Sequence, residues 1–235
     1  MTGLDHLDRL DRLELRSLTT AAELAAMPPF EAEIWGAGGD CVSVNMLVAC
    51  ISEGGVAIGA FDGDRLVGSL FGFPTREPHV LHSHYMAVHP DHRRVGLGVA
   101  LKQHQRQWCL DRDITVVRWT YDPLQLANAH LNLRALGARG VSYHVDHYGH
   151  LGGINGSLPS DRVTVSWDLV GAPASPRERI VVDVPPASPS DIIESNGVAM
   201  HARMLVREAL AHRLGHGWQL VDVDRDARQY VLETV

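Results

Sequence analysis

The stretch MAVHPDHRRVGLGVALKQHQRQWCL, residues 86–110, places two arginines and two glycines between a strand-like and a helix-like segment. It begins apolar, becomes basic at Arg93 and Arg94, and continues through Gly96 and Gly98 into helical periodicity. The free N–H groups and the dipole of a helix N-terminus attract anions. Glycine lets the backbone approach a phosphate, and arginine adds bidentate hydrogen bonds. The stretch therefore predicts a pyrophosphate site, and a tight turn without a ligand is the alternative for these residues alone.

Composition narrows the class of protein. The chain has 235 residues, a net charge of −7 and three cysteines without metal-ligand spacing. A negative chain is a poor partner for nucleic acid, which needs a basic surface. The sequence contains no run of about 18 apolar residues, so it predicts no membrane span. The Leu- and Asp-rich start does not resemble a signal peptide. These features predict a cytoplasmic protein without a nucleic-acid or membrane partner.

Alternating hydrophobicity and turn residues predict the elements around this stretch. The predicted elements are a strand over 13–19, a helix interrupted by Pro28-Pro29, a hairpin over 54–74, a strand over 80–90, a helix over 95–112, a strand over 114–122, a helix from Asp122 to Leu136 and two further strands. The helix over 95–112 carries a predicted apolar stripe of Leu97, Leu101 and Trp108.

Proline and serine become frequent after Val170, which predicts a domain boundary there. The prediction is a core over residues 1–170 and an extension over 171–235 that packs on the core. The extension reads as a short strand, an amphipathic helix and a hairpin. The helix carries a predicted apolar stripe of Val198, Ala202, Leu205 and Ala209.

The arginine and glycine spacing resembles the R/Q-x-x-G-x-G/A signature of the GNAT acyltransferase superfamily, and the surrounding elements follow that family's order over about residues 13–170. The resemblance implies an α/β (α+β) fold with a mixed, mostly antiparallel sheet flanked by helices, here followed by a C-terminal α/β extension. It also implies an acyl-CoA co-substrate and a small-molecule amine acceptor, with no metal. A homodimer is a further expectation.

Three separated segments resemble a narrower subgroup: LHSHYMAVHPDHR, WTYDPLQLANAHLNLRALGA and INGSLPSDRVTVSWDL. Members of this subgroup can accompany enolase-superfamily enzymes that make o-succinylbenzoate or racemise N-succinylamino acids. The resemblance therefore implies succinyl-CoA as well as acetyl-CoA as a donor, and an amino acid as a plausible acceptor.

The family resemblance assigns the acyl-CoA contacts. Backbone at Met86, Ala87 and Val88 would pair with the pantetheine, and amides from Arg94 to Val99 would hold the pyrophosphate. A splay between the strands over 80–90 and 114–122 would hold the thioester. The residues expected to contact acyl-CoA are Met86, Ala87, Val88, Arg93, Arg94, Val95, Gly96, Leu97, Gly98, Val99, Asn128 and Asn132.

Acyl transfer to an amine needs a base and a donor for the oxyanion. His82 and His84 alternate with Ser83, so a strand places both histidines on one face. We expect His82 and His84 to be catalytic and Ser83 to contact substrate, with half-buried or solvent-facing histidines as the alternative. His104 is expected to be a hydrogen-bonded core residue. Backbone N–H on the splayed strand would stabilise the oxyanion.

The predicted helix after Asp122 departs from the family pattern. Many members carry a tyrosine four residues before the glycine that ends this helix, where it protonates the leaving thiolate, and this chain has Leu133 there. Water, Tyr148 or a histidine would have to supply the proton. Asn128 and Asn132 lie four residues apart, which predicts one shared helix face that is either cofactor-binding or merely exposed.

Arg162 is a candidate for binding a substrate carboxylate, with a surface ion pair or turn cap as the alternative. Two other functions stay open. A diverged domain could bind CoA or a metabolite without turnover. A metal-dependent hydrolase or lyase could use the histidines at 144, 147 and 150 with those at 82 and 84, although the spacing of three does not share a strand face.

Overall fold

The structure is a computed structural model that describes residues 10–36, 41–93, 95–149, 151, 157–171 and 178–234. The chain forms two compact units, one ending at Val117 and the other beginning at Arg118. Arg94 and His150 lie outside the described residues.

The strands are β1 (Glu14–Ser17), β2 (Val56–Asp62), β3 (Arg65–Pro74), β4 (Val80–Val88), β5 (Val116–Tyr121), β6 (Arg139–His144), β7 (Arg162–Asp168), β8 (Arg179–Asp183), β9 (Trp218–Asp224) and β10 (Gln229–Thr234). The helices are α1 (Ala21–Leu24), α2 (Met27–Trp35), α3 (Val44–Ser52), α4 (Leu97–Leu110), α5 (Leu126–Ala129), α6 (Pro189–Glu194) and α7 (Gly197–Leu214).

The first unit is built on antiparallel strands in the order β1-β2-β3-β4. The predicted hairpin over 54–74 is confirmed as β2 and β3, joined at Gly63, whose φ of 59° lies in the left-handed region that glycine adopts freely. One face of these strands packs against α1, α2 and α3 through a core that includes Leu24, Met27, Leu47 and Phe71.

Two features of the N-terminal helices differ from the prediction. Pro28 and Pro29 occupy the first turn of α2 rather than interrupting one long helix, because proline there costs no intrahelical hydrogen bond. Helix α3 was not among the predicted elements. Its N-cap is Ser43, whose side chain accepts a hydrogen bond from the Met46 amide.

Helix α4 is confirmed, but its buried face is more polar than the predicted stripe. Leu97, Leu101 and Cys109 are buried together with Lys102 and Gln105. The predicted stripe residue Trp108 is half-buried beneath the guanidinium of Arg112, 4.3 Å from the ring centroid. His104, predicted as a core histidine, is also half-buried.

Lys102, the single lysine of the chain, is 2% exposed and its ammonium donates hydrogen bonds to Ser83 Oγ (2.9 Å) and Gln105 Oε1 (3.1 Å). Burial lowers the pKa of Lys102 to about 7. An unfolded lysine titrates near ~10.4. Between these two values the unfolded chain holds a proton that the folded chain has released, so stability rises with pH across this window.

Lys102→Met is therefore expected to stabilise the fold by about 1–2 kcal/mol at pH 7, because folding no longer has to desolvate an amine that is charged in the unfolded chain. The gain should shrink as the pH rises towards about 10, where the lysine is neutral in both states. Urea unfolding of both proteins at several pH values measures it. A gain that is absent at pH 7, or constant with pH, contradicts the neutral buried lysine.

The second unit has the strand order β5-β7-β6-β9-β10-β8. β9 and β10 form the predicted C-terminal hairpin, and β8 pairs with β10. Residues 179–234 thus extend the same sheet as β6 and β7. The functional boundary predicted at residue 171 stays a prediction.

The helix predicted to run from Asp122 to Leu136 is shorter and irregular. α5 is followed directly by a π-helical segment over His130–Ala135. A π-helix is wider than an α-helix, so residues four apart no longer share a face. Asn128 is exposed whereas Asn132 is 3% exposed, which corrects the prediction of a shared face.

The buried face of α7 also differs from the predicted stripe. Ala199, Ala202, Val206 and Leu210 are buried, and so is Arg203. Val198 and Leu205, predicted as core residues, are 54% and 40% exposed. The helix is rotated from the predicted face because Arg203 is drawn inward to a carboxylate described below.

Candidate active site

The arginine and glycine turn lies between β4 and α4, as predicted. A 3₁₀ turn over Pro90–His92 follows β4, and Arg93 Nε then donates a hydrogen bond to the Val88 carbonyl at 3.1 Å. Gly96 is the N-cap of α4 with φ 90°, a backbone conformation that a side chain would strain. The turn is thus closed by backbone geometry and by one arginine contact.

The first amides of α4 are available to an external acceptor. The Ala100 N–H donates to the Gly96 carbonyl at 3.0 Å, so the amides of Leu97, Gly98 and Val99 precede the first helical hydrogen bond. No side chain of the described chain caps Gly96. The positive end of a 14-residue helix with uncapped amides suits an anion.

β4 carries a bulge in the middle of the histidine pair. Tyr85 pairs with Phe71 and Ser83 pairs with Gly72, so the register with β3 skips His84. A bulge of this kind takes one residue out of the ladder and re-aims its neighbours. Backbone groups near His84 are thereby released from regular pairing with β3, as an oxyanion donor on this strand would require.

The two histidines of β4 share a face, as predicted. Their ring centroids lie 6.1 Å apart, and both rings flank Phe73, at 4.9 Å for His82 and 5.8 Å for His84. His84 is exposed, yet the surrounding aromatic rings desolvate it and lower its pKa. A neutral imidazole that reaches solvent can accept a proton at neutral pH.

Ser83 points to the opposite face from the histidine pair. It is 3% exposed, and its Oγ accepts hydrogen bonds from Lys102 and from Gln105 Nε2 at 3.2 Å. These bonds occupy the hydroxyl within the interface between β4 and α4. Ser83 therefore links β4 to α4 through hydrogen bonds, and its burial argues against the predicted contact with substrate.

A buried carboxylate on the histidine side of the sheet was missed by the sequence analysis. Glu31 of α2 is 1% exposed, and burial raises its pKa to about 7. Its Oε2 accepts the Val42 amide at 3.4 Å. The sequence feature that could have predicted the burial of Glu31 is its position four residues after Met27, on the same apolar helix stripe.

In the second unit, Tyr148 lies near two other polar side chains. Its hydroxyl is 3.0 Å from Thr120 Oγ1 of β5, and the Arg162 guanidinium lies 5.5 Å from its ring centroid. Tyr148 is 44% exposed. Arg162 is 8% exposed, and burial lowers its pKa. The roles predicted for Tyr148 and Arg162 stay predictions.

The start of the irregular helix is anchored by charges from α7. Arg203 is 1% exposed, and its Nη1 and Nη2 each donate to a carboxylate oxygen of Asp122 at 2.7 Å. Burial alone would lower the pKa of Arg203, but these bonds outweigh it and raise that pKa. Asp122 also accepts the Leu124 amide at 2.8 Å, but it is not the helix cap, because α5 begins at Leu126 with Gln125 as its N-cap.

A second carboxylate of this unit is satisfied in a similar way. Asp161 is fully buried and accepts two hydrogen bonds of 2.8 Å from Arg207 and one of 2.6 Å from Tyr143. Burial by itself would raise the pKa of Asp161, but these bonds and the Asp146 amide lower it. The partner of Asp161 is thus on α7 rather than at the adjacent Arg162.

The two predicted cofactor residues of the irregular helix, Asn128 and Asn132, differ in their exposure to solvent. Asn132 Oδ1 accepts a hydrogen bond from the Trp119 indole at 3.2 Å. Leu133, at the position of the family's tyrosine, is 2% exposed. Asn128 keeps an exposed side chain. Asn132 is therefore linked to β5 through its side-chain carbonyl oxygen.

The histidines considered for a metal are only partly described. His144 and His147 have ring centroids 4.7 Å apart, and desolvation and then His147 lower the pKa of His144. Among the described residues, no group of three or more His, Cys, Asp or Glu side chains is arranged to hold a metal ion. No helix within the described ranges is long and apolar enough to cross a membrane.

Comparison with known proteins agrees with this geometry. Residues 24–138 match the family described as Acetyltransferase (GNAT) family. A search of curated protein sequences found no match. Solved structures are similar to this chain at low sequence identity.

The ribosomal-protein-S18-alanine N-acetyltransferase of Escherichia coli has a TM-score of 0.56 and 18% identity, covering 68% of this chain and 96% of its own. The protein yncA of Salmonella typhimurium, with its cofactor acetyl-CoA, has a TM-score of 0.55 and 16% identity, covering 69% and 97%. A phosphinothricin acetyltransferase of Sinorhizobium meliloti in complex with AcCoA has a TM-score of 0.54 and 16% identity, covering 67% and 88%.

The architecture is the GNAT fold, a mixed and mostly antiparallel open sheet flanked by helices, which confirms the predicted fold class. The family model thus matches 115 of the 235 residues, and the structural neighbours share the fold.

Proposed function

We propose that this protein is an acetyl-CoA-dependent N-acetyltransferase. The observation that carries the proposal is the uncapped N-terminus of α4, which follows the Gly96 turn in the superfamily's sequence pattern. Its amides would hold the pyrophosphate of CoA. Met86, Ala87 and Val88 at the end of β4 would pair with the pantetheine. Arg93, Arg94, Val95 and Asn128 complete the proposed cofactor contacts, and Asn132 contributes through its amide nitrogen.

The proposed reaction is direct attack in a ternary complex. The acceptor nitrogen forms a bond to the carbonyl carbon of the thioester, and the carbon–sulfur bond then breaks. A base removes the proton that the nitrogen loses, and His84 or His82 fits this role because both face the same side of β4. Backbone N–H near the His84 bulge would stabilise the oxyanion.

The leaving thiolate must still gain a proton. Leu133 cannot supply it, so the proposal assigns this proton to Tyr148, to a histidine or to water. Tyr148 is exposed and its hydroxyl lies beside Thr120 Oγ1, which supports this assignment. Arg162 would bind a carboxylate of the acceptor or of a succinyl group.

The acyl donor and the acceptor are finer parts of the proposal. Residues 81–93, 119–138 and 154–169 resemble the subgroup that accompanies N-succinylamino acid chemistry. This resemblance supports a succinyl group as an alternative donor and an amino acid as acceptor. Cys41, Cys50 and Cys109 form no disulfide with one another, which supports the proposed reducing, cytoplasmic setting.

A homodimer belongs to the same proposal. Val198, Met204 and Leu205 of α7 are 54%, 47% and 40% exposed, and exposed apolar side chains on one helix favour a protein partner. Sedimentation equilibrium at micromolar concentration distinguishes monomer from dimer.

A diverged module that binds CoA without turnover is the second candidate, and Leu133 in place of the tyrosine favours it. A thiol-release assay separates the two. It uses acetyl-CoA and succinyl-CoA against L- and D-amino acids and simple amines, with CoA affinity measured in parallel. Turnover with any pair supports the transferase, binding without turnover supports the module, and no binding contradicts both.

His84→Gln is expected to lower kcat about tenfold while leaving the KM for acetyl-CoA unchanged, because glutamine keeps a polar side chain but cannot take the proton. His104→Gln, on the half-buried part of α4, is the matched control and should retain full activity. Initial rates over a pH series measure both. Unchanged kcat in His84→Gln and in His82→Gln would remove the histidines from the mechanism.

A further inference from the structure

Strand β8 lies at one end of the strand order in the second unit, and only one of its two edges is paired. β8 pairs with β10, and among the strands that the structure describes none lies beyond it. Val181, at the centre of β8, is 53% exposed. An open strand edge presents unpaired N–H and C=O groups, so it can serve as a template for another strand.

The backbone groups at this open edge belong to alternate residues. The Thr234 amide donates to the Glu178 carbonyl at 3.2 Å, and the Val184 amide donates to the Arg228 carbonyl at 2.7 Å. Hydrogen-bonded and non-bonded pairs alternate along an antiparallel ladder, so the even-numbered residues of β8 are bonded to β10. The odd-numbered residues therefore direct their N–H and C=O groups towards the open edge.

The side chains at the open edge are complementary to a second copy of themselves. β8 has the sequence RIVVD, in which Arg179 and Asp183 flank Val181 symmetrically, and these three residues are exposed on one face. If two β8 strands pair antiparallel with Val181 at the centre, each Arg179 lies opposite Asp183 of the partner subunit. Opposite charges in such cross-strand pairs stabilise a sheet, whereas like charges destabilise it.

The backbone and the side chains favour the same register. Pairing centred on Val181 places odd-numbered residues opposite odd-numbered residues, so the free N–H and C=O groups of both strands bond to each other. A shift of one residue would oppose them to groups already bonded to β10. A shift of two residues would place Arg179 opposite Val181 and leave the charges unmatched. Pro185, which has no N–H, lies just beyond the strand.

We propose that the open edge of β8 pairs antiparallel with β8 of a second copy of this chain, centred on Val181, in a two-fold symmetric dimer. Both subunits then contribute the same surface, as such symmetry requires. This dimer rests on the homodimer of the proposed function and adds its contact surface, for which the exposed side chains of α7 are the competing candidate. One pair of short strands buries less area than a standard interface, so we expect a reversible dimer with micromolar affinity.

Val181→Pro tests the backbone contact. Proline removes an N–H that β10 does not use and is tolerated at such edge positions, so the monomer should stay folded. Sedimentation velocity of the full chain over a concentration series measures the dissociation constant of the dimer, and circular dichroism checks the fold. We expect Val181→Pro to raise this constant at least tenfold. Leu205→Ser, on the exposed part of α7, is the matched control and should leave it unchanged.

Charge exchange tests the register and decides the question if Val181→Pro fails to fold. Arg179→Asp alone and Asp183→Arg alone each place like charges opposite one another, so neither variant should dimerise. An equimolar mixture of the two variants should dimerise, because the opposed positions again carry opposite charges. Circular dichroism of each variant controls for the Arg179 contact with Glu233 at 3.8 Å.

Three results would overturn the proposed dimer: a monomeric wild type, a folded Val181→Pro variant that dimerises normally, or a mixture of charge variants that stays monomeric. A dimer that is lost in Leu205→Ser but kept in Val181→Pro would place the contact on α7 and overturn it as well. A chain that dimerises through β8 but transfers no acetyl group would uphold this contact and contradict the proposed function instead.

Discussion

Arg203→Met is expected to lower the free energy of unfolding by about 3–5 kcal/mol. The substitution keeps an aliphatic chain on the buried face of α7 but leaves the Asp122 carboxylate, 12% exposed, without its bidentate partner. Asp122 also accepts an amide of the segment that leads into α5. Loss of the ion pair should therefore loosen both elements. Guanidinium unfolding followed by circular dichroism measures the change.

Two further variants separate charge from packing. Arg203→Met combined with Asp122→Asn should recover much of the lost stability, because no unpaired buried charge remains. Arg179→Met removes an ion pair whose arginine is 61% exposed, and should cost less than about 1 kcal/mol. A loss at Arg203 as small as that at Arg179 would show that the buried pair does not anchor α7.

Gly98→Glu is expected to weaken acetyl-CoA binding at least a hundredfold, equivalent to about 2.7 kcal/mol. The new carboxylate would stand among the uncapped amides of α4, where it repels the pyrophosphate and competes for the same N–H donors. An acidic residue in the first turn favours the helix itself, so the thermal midpoint should not fall much. Calorimetric titration gives the dissociation constant.

Gln103→Glu is the matched control for Gly98→Glu. It introduces the same charge on the exposed side of α4, one turn beyond the amides. Its acetyl-CoA affinity should lie within about threefold of the wild type, because exposed charges farther from the ligand are screened. Equal losses in both variants would point to net charge rather than to the turn.

Local signals explain which elements the sequence predicts well. The hairpin over 54–74 is marked by a turn sequence and two apolar runs, and α4 by its glycine turn and its periodicity. α3 has no comparable contrast, because its apolar residues are nearly continuous and a short apolar run does not distinguish helix from strand.

Long-range contacts explain what the sequence could not predict. The face of α7 that carries Arg203 is buried because Arg203 forms an ion pair with Asp122, 81 residues earlier. The bulge at His84 depends on the register with β3, and the period-two rule for His82 and His84 carries no information about it. Burial of Glu31 beside Tyr85 depends on the packing of α2, so only the position of Glu31 on an apolar helix stripe was visible in the sequence.

The central claim is that the turn before α4 recognises the pyrophosphate of CoA. Calorimetric titration of the wild-type chain with acetyl-CoA and with S-acetylpantetheine, which lacks the nucleotide and its pyrophosphate, tests it most directly. We expect one acetyl-CoA bound per chain and an affinity for S-acetylpantetheine at least a hundredfold lower, about 2.7 kcal/mol. No binding of acetyl-CoA, or equal affinity for the two thioesters, would contradict it.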